Sequence, residues 1–195
     1  AVNPSVPAKT FPEFIQYLKN NPGKIRYGTS GIGSVFHLIG EVLQESAGVS
    51  MIHVPYKGIV PAVQDVVKGQ TEMCFTSANG AGPLAKAGKL RVLAVLEKKR
   101  YGAMPGIPAA NETVPGFVRP SGRFGYFGPA GLPMPIANRL QQEIHKALDA
   151  PDVRSRLETV GLAIIGNTPE EFSEMYRVGF EQIGKIVKKA GLKPQ

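Results

Sequence analysis

The stretch Ile-Arg-Tyr-Gly-Thr-Ser-Gly-Ile-Gly-Ser-Val-Phe-His-Leu-Ile-Gly-Glu-Val-Leu at residues 25–43 decides the fold. It begins with a short strand pattern at residues 25–27, followed by a loop of small residues at 28–34. From Val35 onward, apolar residues recur at the spacing of one helical face. A strand, a glycine-rich loop and a helix start together favour anion binding. The glycines let the backbone approach a ligand, and the free N–H groups of the first helical turn point at it. Ser34 is the predicted N-cap.

Two more specific nucleotide motifs do not fit this loop. A P-loop needs a lysine directly before its serine or threonine, and Gly33 stands there. A dinucleotide fingerprint needs a third glycine where Phe36 stands. An ordinary strand-to-helix turn without a ligand stays open, but a small anion, and a carboxylate in particular, is the better interpretation.

Composition limits the class of protein. The 195 residues can form one good core or two small lobes, and 43% hydrophobic with 19% charged residues suits a globular protein. No apolar run approaches the roughly 18–20 residues of a membrane helix, so the chain is not expected to insert in a membrane. The formal charge is +8, yet the basic residues are scattered apart from the tail, and tryptophan is absent. Nucleic-acid binding is therefore not expected.

Cysteine and histidine usage argues against metals and cofactors. One cysteine, Cys74, excludes an internal disulfide and a cysteine cluster, and its apolar neighbours predict a buried, inert thiol. The three histidines lack metal-ligand spacing, so no metal or cofactor is expected. His53 reads as a satisfied sheet histidine, and His145 lies on a charged helix surface. The start shows neither the basic nor the apolar segment of a signal peptide, and a trimmed chain is one expectation that fits this.

Strands and helices alternate through the first half of the chain. A capping box at Thr10 predicts a helix to about residue 19. Further strands are expected at 51–54, 73–75 and 90–96, with helices at about 35–47, 59–68 and 83–87. Loops are expected at 28–34, 55–58 and 76–82. Such alternation implies a mainly parallel sheet whose strand-end loops gather at the carboxyl edge, where open α/β sheets bind ligands.

The polar residues in these three loops are expected to converge on one cleft. They provide hydroxyls, one amide and one cation but no carboxylate: Thr29, Ser30, Ser34, Tyr56, Lys57, Ser77 and Asn79. A Ser34–His37 pair at i, i+3 permits a rival interpretation as a catalytic dyad, although no orienting acid is evident. The same histidine can instead orient the loop by a hydrogen bond or cap a partly buried face.

The second half of the chain changes character. Residues 98–122 are rich in proline and glycine and read as a connector. A strand is expected at 124–127, helices at 135–148 and 151–160, and a short strand at 163–165. A capping box at residues 168–171 predicts a final helix to about residue 189.

Six motifs resemble those of a known family, in the family's order. They are the segments 3–10 (Asn-Pro-Ser-Val-Pro-Ala-Lys-Thr), 27–38, 53–58 (His-Val-Pro-Tyr-Lys-Gly), 87–95, 124–133 and 167–172. The chain resembles the periplasmic solute-binding receptors of tripartite tricarboxylate transporters, the Bug family. The resemblance covers essentially all 195 residues.

The resemblance implies an α/β, two-lobed type II periplasmic-binding-protein fold with mainly parallel sheets flanked by helices. Residues 1–122 would be the second, ligand-binding lobe with its connector, and residues 123–195 the C-terminal part of the first lobe. The sequence begins where the second lobe of such receptors begins, so an incomplete first lobe and a signal peptide further upstream are expected.

The resemblance also implies a non-enzymatic receptor in the periplasm. It would capture a small organic anion (a di- or tricarboxylate, an acidic amino acid or an aromatic acid) for a membrane permease. The resemblance implies an anion-binding loop at residues 29–34, flanked by residues 56–58 and 76–77. Together with the convergence of the loops, the expected ligand-binding residues are Thr29, Ser30, Gly31, Gly33, Ser34, His37, Tyr56, Lys57, Gly58, Ser77 and Asn79. The loop at 76–79 lacks the acidic residue with which many relatives would meet an amino group. A hydrolase or transferase using Ser34 and His37 and a ligand-sensing regulatory module stay as alternatives.

Overall fold

A computed structural model describes residues 1–102, 104–120, 122, 124–159, 162, 164–189 and 191. The chain divides into two compact units, which are described separately. Unit 1 comprises Ala1–Pro120 with Ile183–Gln195, and unit 2 comprises Ser121–Gln182. The strands are β1 Arg26–Thr29, β2 Ile52–Pro55 and β3 Met73–Cys74. The helices are α1 Phe11–Asn20, α2 Val35–Ala47, α3 Ile59–Val67, α4 Ala78–Lys86, α5 Met134–Asp149, α6 Pro151–Thr159 and α7 Pro169–Lys189.

The sheet of unit 1 is parallel, with β1 in the centre. Its strand order is β2-β1-β3, and Thr29 pairs with Pro55 while Gly28 pairs with Cys74. The predicted alternation of parallel strands and helices is confirmed. The sheet and α2 pack on one large buried cluster that includes Phe14, Leu18 and Leu43. Cys74 is fully buried as predicted, and burial raises the pKa of its thiol.

Local sequence signals explain most helix ends in unit 1. Thr10 accepts the Glu13 N–H at 3.3 Å and starts α1. Ser34 starts α2, and Gly48 ends it in the left-handed conformation that a residue without a Cβ adopts without strain (φ 64°). The expected positions of both helices are confirmed to within a residue or two.

The fourth strand predicted at residues 90–96 is wrong. Arg91 and Val95 form only isolated bridges, to Val2 and to Ala109. Val2 also bridges Met73, so the first residues of the chain lie at the edge of β3 that the predicted strand would have taken. Two hydrogen bonds of 2.8 Å join the backbones of Val2 and Arg91.

The third strand-end loop is shorter than predicted. Helix α4 begins at Ala78 and not at Pro83, because the Ser77 hydroxyl accepts the Gly80 N–H at 3.2 Å and caps the helix. Pro83 therefore lies inside the helix. As a consequence Asn79 is the second residue of α4 and not a loop residue.

The segment predicted as a connector packs on the core of unit 1. It contains a 3-10 helix at Ala110–Glu112, and Ala110, Val114 and Phe117 are buried. On the exposed side of this segment, Arg100 and Glu112 form an ion pair of 2.7 Å.

Unit 2 consists of α5, α6 and most of α7. None of these three helices has a buried residue among those described. The strand predicted at residues 124–127 is wrong: the segment is irregular, and Phe124 is 86% exposed. An aromatic row of Phe127, Phe172, Tyr176 and Phe180 lies along α7, with successive ring centroids 5.4–6.5 Å apart.

Two further expectations for this region are only partly described. Ala163, Val160 and Gly161 lie outside the described residues, and Ile164 and Ile165 are not in a strand. Within the described ranges, no helix combines the length and the apolar content needed to cross a membrane.

Candidate functional site

Three loops lie at the carboxyl edge of the sheet because the three strands are parallel and in register. The loop after β1, residues 30–34, runs from the central strand into α2. The Tyr56 N–H, directly after β2, donates to the Thr29 carbonyl at 3.1 Å. A side chain on Gly28 would lie 3.1 Å from the Ala62 Cβ, so only glycine lets β1 and α3 approach this closely. The predicted placement of the loops at one edge is confirmed.

We call residues 28–34 the anion loop. The amides of its glycines Gly31 and Gly33 bond to side chains of the protein. The Gly31 N–H donates to the Thr29 hydroxyl at 3.2 Å, and the Gly33 N–H donates to Nδ1 of His37 at 3.0 Å. The φ angles of Gly31 (124°) and Gly33 (74°) permit this path. Among the described residues, the N–H groups of Ser30 and Ile32 have no hydrogen-bond partner.

The sequence predicted free N–H groups throughout this loop, but several of them bond to the protein itself. The Ser34 N–H also has a partner, the Gly31 carbonyl at 3.3 Å. Three of the five amides from Ser30 to Ser34 are used by the protein, and the other two have no partner among the described residues. Both are available as hydrogen-bond donors to an anion.

Two predicted site hydroxyls serve as helix caps. Ser34 Oγ accepts the His37 N–H at 3.3 Å, and Ser77 Oγ accepts the Gly80 N–H at 3.2 Å. Each hydroxyl keeps its own proton to donate. The His37 ring is bonded to Gly33 and not to the Ser34 hydroxyl, so the proposed Ser–His dyad is not assembled in this structure. Of the two non-catalytic roles expected for His37, the structure shows loop orientation.

In the second and third loops, some of the predicted polar side chains bond to other groups of the protein. The Tyr56 hydroxyl donates to Asp65 of α3 at 2.9 Å and is thus directed away from the edge. Lys57 is exposed, and Gly58 begins α3 with a φ of 111°. Asn79 takes part in an interaction and is not a free side chain. None of residues 29–34, 55–58 and 75–80 is acidic.

A buried polar network lies behind the anion loop. The imidazoles of His37 and His53 stack with centroids 3.7 Å apart, and Nε2 of His53 lies 2.7 Å from the Thr29 hydroxyl. The Tyr27 hydroxyl donates to Glu41 at 2.9 Å, and Glu41 lies 3.6 Å from Nε2 of His37. His53 is thus a satisfied sheet histidine, as predicted.

Burial determines the protonation of this network. Desolvation lowers the pKa of His37 despite the opposing effect of Glu41. Desolvation and the neighbouring His37 lower the pKa of His53 to about 4. Burial, with Glu41 beside it, raises the pKa of Tyr27. Both histidines are therefore uncharged at neutral pH.

Sequence reasoning missed Glu41 and Tyr27. His37 and Glu41 are four residues apart in α2, a spacing that puts two side chains on one helix face and could have indicated the pair. Tyr27 carried no comparable signal, because an aromatic residue in a strand is ordinarily read as core. Within the described ranges, no cluster of three or more metal-ligating side chains occurs.

Comparison with known proteins places this geometry in a family. A sequence model described as "Tripartite tricarboxylate transporter family receptor" matches residues 1–192. The chain is 34% identical over 188 residues to the UPF0065 protein in the tcbD–tcbE intergenic region of Pseudomonas sp. strain P51. That match covers 93% of this chain and 56% of the relative, so the chain spans little more than half the relative's length.

Three solved structures are similar in fold. A structure described as a periplasmic transporter has a TM-score of 0.83 at 39% identity and matches 98% of this chain over 64% of its own. A protein of R. palustris with adipate has a TM-score of 0.81 at 27% identity, covering 100% of this chain and 65% of that one. MatC from Rhodopseudomonas palustris with bound malate has a TM-score of 0.76 at 27% identity, covering 95% and 64%.

Proposed function

Because the chain belongs to the tripartite tricarboxylate transporter receptor family, the Bug family predicted from its motifs, we propose that it is a periplasmic solute-binding receptor for a small organic anion. It delivers this anion to a membrane permease of the tripartite tricarboxylate type. Residues 1–122 serve as the ligand-binding lobe, and residues 123–195 belong to the other lobe. The receptor performs no chemistry on its ligand.

One observation carries this proposal. At the carboxyl edge of the sheet, the unpartnered amides of Ser30 and Ile32 lie in the loop that leads into α2, and residues 29–34, 55–58 and 75–80 contain no carboxylate. An anion there gains hydrogen bonds from fixed backbone dipoles and the favourable end of a helix dipole. The Ser34 and Ser77 hydroxyls can donate further bonds, and Lys57 supplies a positive charge.

The ligand class follows from the charges at this edge. A ligand with an ammonium group would need a carboxylate partner, and residues 29–34, 55–58 and 75–80 provide none. We therefore expect a dicarboxylate or another organic acid without an amino group. Related proteins with adipate and with malate support this choice.

Isothermal calorimetry with the 195-residue chain tests the proposal. Adipate and malate should bind, whereas hexanediol, which has the carbon skeleton of adipate but no charge, should not. Aspartate should bind more weakly than malate because its ammonium group is left without a partner. Binding of the diol as tightly as adipate, or of no acid at all, would contradict the proposal.

A matched pair of lysine variants tests the site. Lys57→Gln should weaken adipate binding by about two- to tenfold, as expected for the loss of one partly exposed charge–charge contact. Lys24→Gln removes the same charge before β1, at the opposite end of the strand, where Lys24 bonds to Asn21. It should leave the affinity unchanged. Equal effects of the two variants would show that net charge alone, and not this edge, attracts the ligand.

A further inference from the structure

Each inward-facing glycine of the anion loop is held by one histidine. His37, 4% exposed, accepts the Gly33 N–H at Nδ1 (3.0 Å). His53 reaches Gly31 through the buried hydroxyl of Thr29, which lies 2.7 Å from the His53 ring and 3.2 Å from both the N–H and the carbonyl of Gly31. The two rings are nearly parallel, at 7°. The loop is thus attached at two points to one stacked pair.

This geometry requires an uncharged His37. A nitrogen that accepts a hydrogen bond carries no proton, so the proton of His37 lies on Nε2, on the side of Glu41. Adding a second proton would place N–H against N–H at Gly33 and break that bond. A charge on either ring would also face the other ring at a centroid distance of 3.7 Å.

The groups around the pair do not offset such a charge well. Glu41, on α2, is the one carboxylate near the pair in the described residues, and its Oε1 already accepts from Tyr27 of β1 and from Gln44. On β2, the titratable group that faces His37 is His53. The Tyr27 ring, tilted against His53 with a centroid distance of 5.1 Å, completes the enclosure.

We propose that His37 and His53 are positioning residues of the anion loop: the uncharged ring of His37 holds the Gly33 amide, and His53 holds Gly31 through the Thr29 hydroxyl. With the Gly31 and Gly33 amides bonded to the protein, the alternate amides, of Ser30 and Ile32, stay available to a ligand. The histidines therefore present the ligand-binding amides without touching the ligand. The effect on ligand affinity rests on the proposed carboxylate site, whereas the attachment of the loop does not.

The pH dependence distinguishes this role from direct anion binding. If an imidazolium bound the carboxylate, acidification would strengthen binding as the ring gained its charge. If the neutral ring of His37 holds the loop, acidification within the pH range in which the ligand stays ionised releases Gly33 and weakens binding. The two roles predict opposite signs.

Nitrogen NMR of the three histidines in the apo chain, between about pH 8 and about pH 4, tests the attachment without any ligand. We expect His37 to carry its proton on Nε2 at neutral pH. The exchange protection of the Gly33 amide should fall with the same midpoint as the titration of His37. A proton on Nδ1, or Gly33 protection that is unchanged as His37 titrates, would overturn the proposal.

Two substitutions separate the hydrogen bond from the charge. His37→Asn keeps an acceptor near the position of Nδ1 and does not titrate, whereas His37→Leu removes the acceptor. At neutral pH, H37L should lose Gly33 protection and bind adipate about tenfold more weakly, the effect of one lost hydrogen bond. H37N should retain both within about threefold and lose the pH dependence of Gly33 protection. His145→Asn, at the exposed third histidine, is the control and should change neither.

The outcomes remain informative if a variant misfolds or adipate fails to bind. Should circular dichroism show that H37L is unfolded, the pH response of H37N decides: the same acid-induced loss of Gly33 protection as in the parent chain would overturn the proposal. Should the parent chain not bind adipate, the carboxylate function fails, while the exchange data still establish or refute the positioning role.

Discussion

The rings of His37 and His53 stack with centroids 3.7 Å apart, although one residue belongs to α2 and the other to β2. The contact joins the helix that follows the anion loop to the strand beside it. Through Thr29 and Gly33 the same pair fixes the loop itself. The end of β1, the anion loop and the start of α2 are therefore coupled. Substitutions in this network should change both the free energy of unfolding and the hydrogen-exchange protection of the loop amides.

The lowered pKa values make unit 1 sensitive to acid. In the unfolded chain both histidines titrate near their ordinary value of 6.5, while folding lowers the pKa of His53 to about 4. Between these values the unfolded state binds more protons. The free energy of unfolding should therefore fall as the pH drops from about 6.5 to about 4, by up to about 1.4 kcal/mol per pH unit for each proton.

Urea denaturation at a series of pH values measures this slope. Carboxylates such as Glu112, whose pKa the Arg100 guanidinium holds at about 2, also lose stabilising interactions in acid. The comparison with His53→Gln, which keeps a polar group toward Thr29 but does not titrate, isolates the contribution of His53. The variant should show a shallower slope; an identical slope would contradict the assignment.

The buried hydroxyl of Thr29 connects Gly31 to His53. Thr29→Val keeps the shape of the side chain but removes the hydroxyl, leaving the Gly31 N–H and the His53 ring without their partner. It should destabilise the protein by about 1–3 kcal/mol and speed exchange of the Gly31 amide. Thr29→Ser keeps the hydroxyl and should cost about 1 kcal/mol for the lost methyl group. A serine variant as damaged as the valine variant would show that the methyl group, and not the hydroxyl, matters.

Gly40, in the middle of α2, leaves space for the ring of Tyr27 from β1. A Cβ at this position would lie 2.6 Å from Cζ of Tyr27 and 2.8 Å from its hydroxyl oxygen. In Gly40→Ala the cost of overpacking, about 1–3 kcal/mol, should outweigh the gain in helix propensity of about 1 kcal/mol. Gly184→Ala in α7, where nothing lies within 4 Å, should show the gain alone. Thermal unfolding of the two variants decides, and a stabilised Gly40→Ala chain would argue against the packing of Tyr27 described here.

Unit 2 should open more readily than unit 1. Its helices bury no residue among those described, whereas Tyr27, Leu18 and Phe14 of unit 1 are almost wholly inaccessible. Little apolar burial opposes local unfolding of such helices. Hydrogen exchange followed by mass spectrometry should show fast exchange in α5 and slow exchange in β1. Equal protection of the two elements would contradict this expectation.

Local sequence chemistry predicted the elements that have strong local signals. The strand, loop and helix at residues 25–43 follow from glycine positions and helical periodicity, and Thr10, Ser34 and Gly48 marked helix ends correctly. Failures occurred where distant residues decide. Apolar residues at 90–96 suit a strand, but Val2 lies against the neighbouring edge, and no local pattern indicates that pairing.

The sequence predicted the edge at which the three loops lie, but not the hydrogen bonds within them. Parallel strands implied that the three loops share an edge, and they do. The sequence could not show which amides the protein itself uses, because the acceptors for Gly31 and Gly33 are side chains whose orientation depends on tertiary packing. It also could not show that Tyr56 donates to Asp65, since a tyrosine hydroxyl can equally well bind a ligand or form a structural hydrogen bond.

Amide NMR of the 195-residue chain, titrated with adipate and in parallel with hexanediol, tests the central claim most directly. We predict that adipate shifts the amide signals of Ser30 and Ile32 most strongly, with smaller changes at Lys57 and Ser77, and that the diol shifts none of them. Adipate-induced shifts that are absent from Ser30 and Ile32, or that the uncharged diol reproduces, would contradict the account.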